Sequence, residues 1–139
     1  MSSGVAVNQE CIDAFSNLKL GKKYKYIIFR ISNDNKEIIV EKTAESVSDY
    51  DEFIKQLPAD EPRYAVYDFD YEKPGEGQRS KITFYSWTPD TSKIRQKMLY
   101  ASSSAALRRQ LVGIAIEIQG TDESEVAYET VLEKASRSA

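Results

Sequence analysis

The sequence predicts a mixed α/β (α+β) domain, a central mixed β-sheet of about five strands sandwiched between helices, with residues 1–139 forming one domain. Three observations predict it. Runs such as Tyr26-Ile-Ile-Phe-Arg-Ile31 and Ile82-Thr-Phe-Tyr-Ser-Trp87 are nearly continuously apolar and rich in β-formers, the pattern of strands covered on both faces. Stretches with helical periodicity lie between them, which places helices against the sheet. The length suits one domain, and 41% hydrophobic residues, including nine Tyr, five Phe and one Trp, supply a core.

Residues 1–7 are small and uncharged and read as a flexible arm. Asn8 is a candidate N-cap for a helix whose face is Ile12, Phe15 and Leu18. Cys11 reads as a small buried hydrophobe rather than a reactive thiol. Gly21 ends that helix and can take positive φ. Residues 24–43 read as a hairpin turned at Asn33-Asp-Asn-Lys36. Lys22, Lys23 and Lys25 are interrupted by Tyr24 and form a solvated strand start rather than a nuclear signal. Ser48-Asp49 opens a helix with Tyr50, Phe53, Ile54 and Leu57 as its stripe, and Pro58 stops it. Tyr64–Tyr71 is a strand with Tyr67, Phe69 and Tyr71 on one face and Val66, Asp68 and Asp70 on the other; paired with residues 79–87 it makes a second hairpin.

Asp68 and Asp70 have no third ligand or partner base nearby in sequence, so a wet strand end explains them better than a metal or acid–base pair. Gly75 and Gly77 are not followed by Lys-Ser/Thr in phosphate-loop register. A short strand, Ile114–Ile118, follows the second hairpin and the helix after it. Asp122-x-x-Glu125 has capping-box form, opening a last helix with Tyr128, Val131, Leu132 and Ala135 inward.

Net charge is −3, against a fold held to nucleic acid by phosphate contacts. With no histidine, Ser-His-Asp and Cys-His catalysis and histidine-ligated metals are excluded, and a single cysteine cannot build a zinc site or an internal disulfide. No nucleophile–base pair, cofactor motif or metal set stands out, so an enzyme is not expected. Met1–Val7 lacks the basic start and apolar run of a secretory signal, and a reducing, cytoplasmic setting is expected.

The most informative stretch is Trp87–Arg109. Pro89-Asp90 stops the preceding strand, and Thr91 or Ser92 can cap a helix. Ile94, Met98, Ala101 and Ala105 recur at helical spacing as an apolar seam. Lys93, Lys97, Ser104 and Arg108 fall on an adjoining strip within roughly 60° of one another. Leu107 and Leu111 point some 120° or more from that seam, which requires that the helix roll over its support or bend at Ser102–Ser104. If exposed, Met98 beside Arg95 and Lys97 would make an apolar anchor ringed by cations. Spacing alone favours an ordinary half-buried helix with surface lysines.

The run Trp87-Thr-Pro-Asp-Thr-Ser-Lys-Ile-Arg-Gln-Lys-Met-Leu-Tyr-Ala-Ser-Ser103 with Leu107-Arg-Arg109 closely resembles the ADF/cofilin family, in its fungal form. Ser3-Gly4-Val5, Tyr64–Phe69, Arg79-Ser-Lys81, Gly120-Thr-Asp and Val131-Leu-Glu133 extend the likeness over nearly the whole chain. The resemblance implies the actin-depolymerising-factor homology fold and a monomeric, cytoplasmic, non-enzymatic protein of the actin cytoskeleton. Such a protein binds actin monomers and filaments, prefers ADP-actin, and severs and depolymerises filaments. It implies that Ser3, Gly4, Val5, Arg95, Lys97, Met98, Arg108 and Arg109 contact both monomer and filament. Arg79, Lys81, Glu133, Lys134 and Arg137 resemble a second, filament-specific surface. Ser3 resembles an inhibitory phosphorylation site, and Lys93, Arg95, Lys97, Arg108 and Arg109 a binding site for phosphatidylinositol bisphosphate. The family's frequent Lys-Asp pair is replaced by Ser104-Ala105, which weakens the basic edge, and a histidine-linked pH response has no residue to carry it. The neighbouring alternatives on the same fold are a glia-maturation-factor-like debrancher and a coactosin-like filament side binder.

Overall fold

The computed structural model describes residues 4–137. Its elements run β1 (Ala6–Val7), α1 (Gln9–Lys19), β2 (Tyr26–Ile31), β3 (Glu37–Ala44), α2 (Tyr50–Ile54), β4 (Arg63–Lys73), β5 (Gly77–Trp87), α3 (Ile94–Gln110), β6 (Ile116–Gly120), α4 (Glu123–Val126) and α5 (Tyr128–Arg137). The strands form one sheet in the order β1-β3-β2-β4-β5-β6. Its centre is the two expected hairpins, joined by the antiparallel β2–β4 pair. Its edges are parallel: β1 lies along β3, and β6 returns beside β5 after the α3 crossover.

β1 is the strand beyond the expected five. It lies within the stretch read as a flexible arm, and it ties residues 5–7 down. Ala6 donates its N–H to Lys36 O at 2.9 Å, Asn8 donates to Ile38 O at 3.0 Å, and Val5 is buried. Two residues carry no period, so nothing local announces this strand.

The sheet is covered on both faces, which is why β2 and the inner part of β4 read as continuous apolar runs. On one face Tyr26, Ile28, Tyr67, Phe69, Tyr85 and Trp87 pack beneath Tyr50 and Phe53 of α2, Val126 of α4, and Val131 and Ala135 of α5. On the other, Ile27, Phe29, Tyr64, Val66 and Phe84 pack against Phe15 and Leu18 of α1 and Tyr100 and Leu107 of α3. Cys11 sits in this second layer, fully buried, with its thiol donating to Ile38 O; burial pushes that thiol up to about 12.

Several local expectations are corrected. Positive φ falls on Lys22 (φ 52), not Gly21; Gly21 is needed because a Cβ there would stand 3.1 Å from Asn17 O. The N-cap of α3 is Lys93 with no side-chain cap, because Thr91 Oγ1 donates instead to Ala59 O at 3.0 Å and Ser92 is buried. The last strand starts at Ile116, two residues later than expected, since residues 112–115 are spent turning through Gly113 (φ 110). Asp68 is not at a wet strand end: it is buried and pairs with Lys22 at 3.3 Å, whereas Asp70 is exposed and pairs with Lys25 at 2.7 Å.

The expected last helix is two helices. The Asp122 cap is present, accepting from Glu125 N at 3.2 Å, while Glu125 Oε1 accepts from Thr121 N at 2.7 Å. The Ser124 hydroxyl holds Asp122, and the Thr121 N–H holds Glu125, below the ordinary carboxylate range. The chain then leaves the helix at Ala127 (φ −63, ψ 153) before α5 begins. No described helix is long and apolar enough to cross a membrane.

Candidate functional site

α3 presents the opposite face from the one its small apolar seam suggested. Its buried residues are Tyr100, Ser103 and Leu107, continued by Leu111, which lie within roughly 80° of one another at about 100° per residue. Ile94 (73% exposed), Met98 (65%), Ala101 and Ala105 face outward. The reason is what each face can bury. Tyr100 and Leu107 bring large side chains to the sheet, and the Tyr100 hydroxyl also accepts from Ile31 N at 2.8 Å while its carbonyl accepts from the Tyr64 hydroxyl. Two alanines, one Ile and one Met bring less. Leu107 and Leu111 therefore meet the core without a bend at Ser102–Ser104, and α3 is one continuous helix from Ile94 to Gln110.

The outward face is an apolar strip between cations. By helical geometry Arg95 and Arg109 flank it on one side, and Lys97 and Arg108 on the other, each roughly 20–60° from the strip. Arg109 and Arg95 are exposed, Lys97 is partly so, and Arg108 leans to the sheet, where its Nε meets Glu117 Oε1 at 2.9 Å. Lys93 lies elsewhere. It lines a polar cleft of about 470 Å³ with Gln96, Arg30, Asn33 and Arg63, so it does not join Arg95 on one face. Val5 packs in the layer that also holds Tyr100 and Leu107, and Gly4 is exposed beside it in sequence with φ 81. Val5 thus ties the arm to the layer beneath α3, not to its outward strip. Ser3 lies outside the described residues.

A second group forms across the sheet. Lys81 of β5 donates to Ala135 O of α5 at 3.1 Å, which joins the Arg79/Lys81 segment to the C-terminal helix. Arg79 pairs with Glu76 at 2.7 Å, Arg137 with Glu133 at 3.1 Å, and Lys134 donates to Glu117 O at 3.3 Å. α5 meets β6 and, through the Lys81–Ala135 bond, β5, which brings Lys81 and Lys134 to the same helix, whereas Arg79 stays paired within the β4–β5 hairpin.

The profile of a family described as cofilin/tropomyosin-type actin-binding proteins matches residues 4–136. The chain belongs to the ADF/cofilin family. It is 60% identical over 138 residues to the cofilin of Mycosarcoma maydis, a match that covers 99% of each chain. A crystal structure described as Streptomyces griseoflavus cofilin superposes with a TM-score of 0.91 at 58% identity, covering 98% of this chain and 100% of the other. Plasmodium berghei actin depolymerization factor 2 gives a TM-score of 0.80 at 34% identity, with 97% of each covered.

Within this ADF/cofilin fold, Ile94, Ala101 and Ala105 belong to the exposed strip, a placement the sequence reading missed by assigning them to the buried seam. The available signal was the competing stripe Tyr100/Ser103/Leu107/Leu111, which holds the larger side chains. Ser104 is partly buried and Ala105 exposed, so the strip carries no charge at these two positions. Among the described residues, no group of three or more His, Cys, Asp or Glu is arranged to hold a metal ion.

Proposed function

We propose that the chain binds actin monomers and filaments through the outward face of α3 together with the N-terminal arm, and that it severs and depolymerises filaments to promote actin turnover. One observation carries the reading: in a member of an actin-binding family, Ile94 and Met98 are exposed between flanking cations instead of buried. Exposed large apolar side chains on a rigid helix cost solubility unless a partner covers them. Their arrangement, an apolar centre with a charged rim, is that of an interface anchor. Arg95, Lys97, Arg108 and Arg109 would steer encounter with an acidic partner and fix register, while Met98 adapts to the cleft it enters.

Filament binding adds the second surface, Arg79, Lys81, Glu133, Lys134 and Arg137, toward a neighbouring subunit. Severing follows if the bound chain favours one filament twist, because a ligand shifts a conformational equilibrium by its differential affinity for the two states. Preference for ADP-actin is the same effect, exerted on the nucleotide-dependent shape of the subunit. Phosphorylation of Ser3 would add nearly two negative charges to the arm and oppose docking on an acidic partner. Phosphatidylinositol bisphosphate would compete for Arg95, Lys97, Arg108 and Arg109, with Lys93 reached from the adjoining cleft. The protein acts as a monomer in the cytoplasm.

The test is co-sedimentation with actin filaments plus filament length by microscopy. The wild-type chain is expected to co-sediment and shorten filaments, and Arg95→Ala with Lys97→Ala to lose most binding while stability moves by no more than about 0.5 kcal/mol. Filaments left unchanged by the wild-type protein would refute the reading.

A further inference from the structure

We propose that Tyr50 is a positioning residue for the filament-facing surface: its hydroxyl holds the break between α4 and α5 and thereby sets where α5 presents Glu133, Lys134 and Arg137. The proposal rests on reading α5 as filament-specific.

α4 ends at Val126 because Ala127 is extended, and a helix end leaves carbonyls without intrahelical partners. Val126 is fully buried, so water cannot satisfy its carbonyl. Tyr50 of α2 does so, its Oη lying 2.7 Å from Val126 O. The same ring stands 5.8 Å from and edge-on to Tyr128, the first residue of α5. From beneath, the Val126 side chain rests on Gly120, where a Cβ would come within 2.6 Å of Val126 Cγ1. Tyr50 thus touches both sides of the break, while Gly120 fixes its height above the sheet.

Proton inventory shows that this bond is directional. Tyr50 has one hydroxyl proton, and a carbonyl can only accept, so that proton goes to Val126. The proton between the Tyr50 and Tyr85 hydroxyls, 3.0 Å apart, must then come from Tyr85, while the Thr83 hydroxyl gives its own proton to Tyr67 O at 2.9 Å. Tyr85 and Thr83 are fully buried. The Tyr85 hydroxyl of β5 thus backs the bond at the break. A Phe at position 50 would keep every ring contact and lose the bond to Val126 O together with the Tyr85 contact, which Tyr85→Phe removes as well.

The leverage is geometric. α5 has ten residues, about 15 Å of helix, so a tilt of about 10° at its start moves its far end by roughly 2.5 Å. That exceeds the tolerance of a hydrogen-bonded ion-pair contact.

The experiment compares Tyr50→Phe with Tyr85→Phe, which removes a neighbouring buried hydroxyl and leaves the Tyr50–Val126 bond in place. Tyr50→Phe is expected to weaken filament binding by about five- to tenfold, the scale of one lost buried hydrogen bond, with monomer affinity within about twofold. Tyr85→Phe is expected to lose comparable thermal stability with both affinities unchanged. Wild-type filament affinity in Tyr50→Phe, equal losses for monomer and filament, or the same split in Tyr85→Phe each overturns the proposal. Amide hydrogen exchange supplies a readout without actin: the amides of residues 128–137 should exchange faster in Tyr50→Phe than in Tyr85→Phe. Unchanged exchange there overturns the pin itself, whereas wild-type protein that binds no filaments overturns the functional reading, so the two failures are distinguishable.

Discussion

The ammonium of Lys81 lies 3.1 Å from the carbonyl oxygen of Ala135. Ala135 stands in the last turn of α5, where the helix dipole favours a cation. The Lys81 ammonium also lies 5.9 Å from the centre of the Tyr71 ring. Lys81 is therefore a strut between β5 and α5 as well as a candidate contact, whereas Arg79 pairs with Glu76 inside its own hairpin.

The two cations should separate in stability. Lys81→Met keeps the aliphatic stem and removes the donor; a loss of about 0.5–1 kcal/mol is expected in urea denaturation. Arg79→Ala removes an exposed pair and should change stability by less than about 0.5 kcal/mol. Both should impair filament binding more than monomer binding. Equal stability of Lys81→Met and wild type would show that the strut carries no load.

The face of α3 can be tested with two truncations. Leu107→Ala opens a cavity in the layer shared with Phe84 and Tyr64 and should cost about 2–5 kcal/mol. Met98→Ala, on the exposed strip, should cost no more than about 0.5 kcal/mol and should weaken actin binding. Thermal denaturation that ranks the two the other way would return Met98 to the core.

Gly120→Ala puts a methyl 2.6 Å from Val126 Cγ1 and 3.2 Å from Trp87 Cε3. The indole has little room to withdraw, since its Nε1 donates to Pro58 O at 2.7 Å. Overpacking of about 1–3 kcal/mol is expected, read by chemical denaturation. A variant as stable as wild type would mean that α4 lifts freely from β6.

The response to pH follows from which groups are shifted. Asp34, Asp122 and Glu125 are held below the ordinary carboxylate range, chiefly by the Ser32 hydroxyl, the Ser124 hydroxyl and the Thr121 N–H. A depressed carboxylate contributes stability above its unfolded pKa and loses it as pH falls through its folded one. Melting temperature should therefore fall as pH drops below about 4.5. From pH 6 to about 8 it should be flat, because there is no histidine and Cys11 is pushed up to about 12. Differential scanning calorimetry across this range checks both, and a slope near neutrality would contradict the second.

Much of the fold was legible because its signals are local. The Asn8, Asp49 and Asp122 caps, the turn at Asn33–Lys36 and the double-sided strands β2 and β5 each announce themselves within a few residues. The run from Trp87 to Arg109 was legible as a helix with apolar and cationic residues, but not which of them face outward. Ile94 and Met98 read as a seam because they are apolar at helical spacing, and spacing does not say which of two apolar stripes has a partner.

By itself the sequence determined most of the elements, the double covering of the sheet and the likeness to a family. Periodicity, caps and turn chemistry depend on neighbours in the chain, so they survive without coordinates. The tertiary structure alone decided which face of α3 is buried, that Ala6 and Val7 join the sheet, that the last helix breaks at Ala127, and that Lys81 meets Ala135. Each of these is settled by competition for burial or for a hydrogen-bond partner between segments distant in sequence, and the outcome depends on which groups the assembled sheet places opposite them.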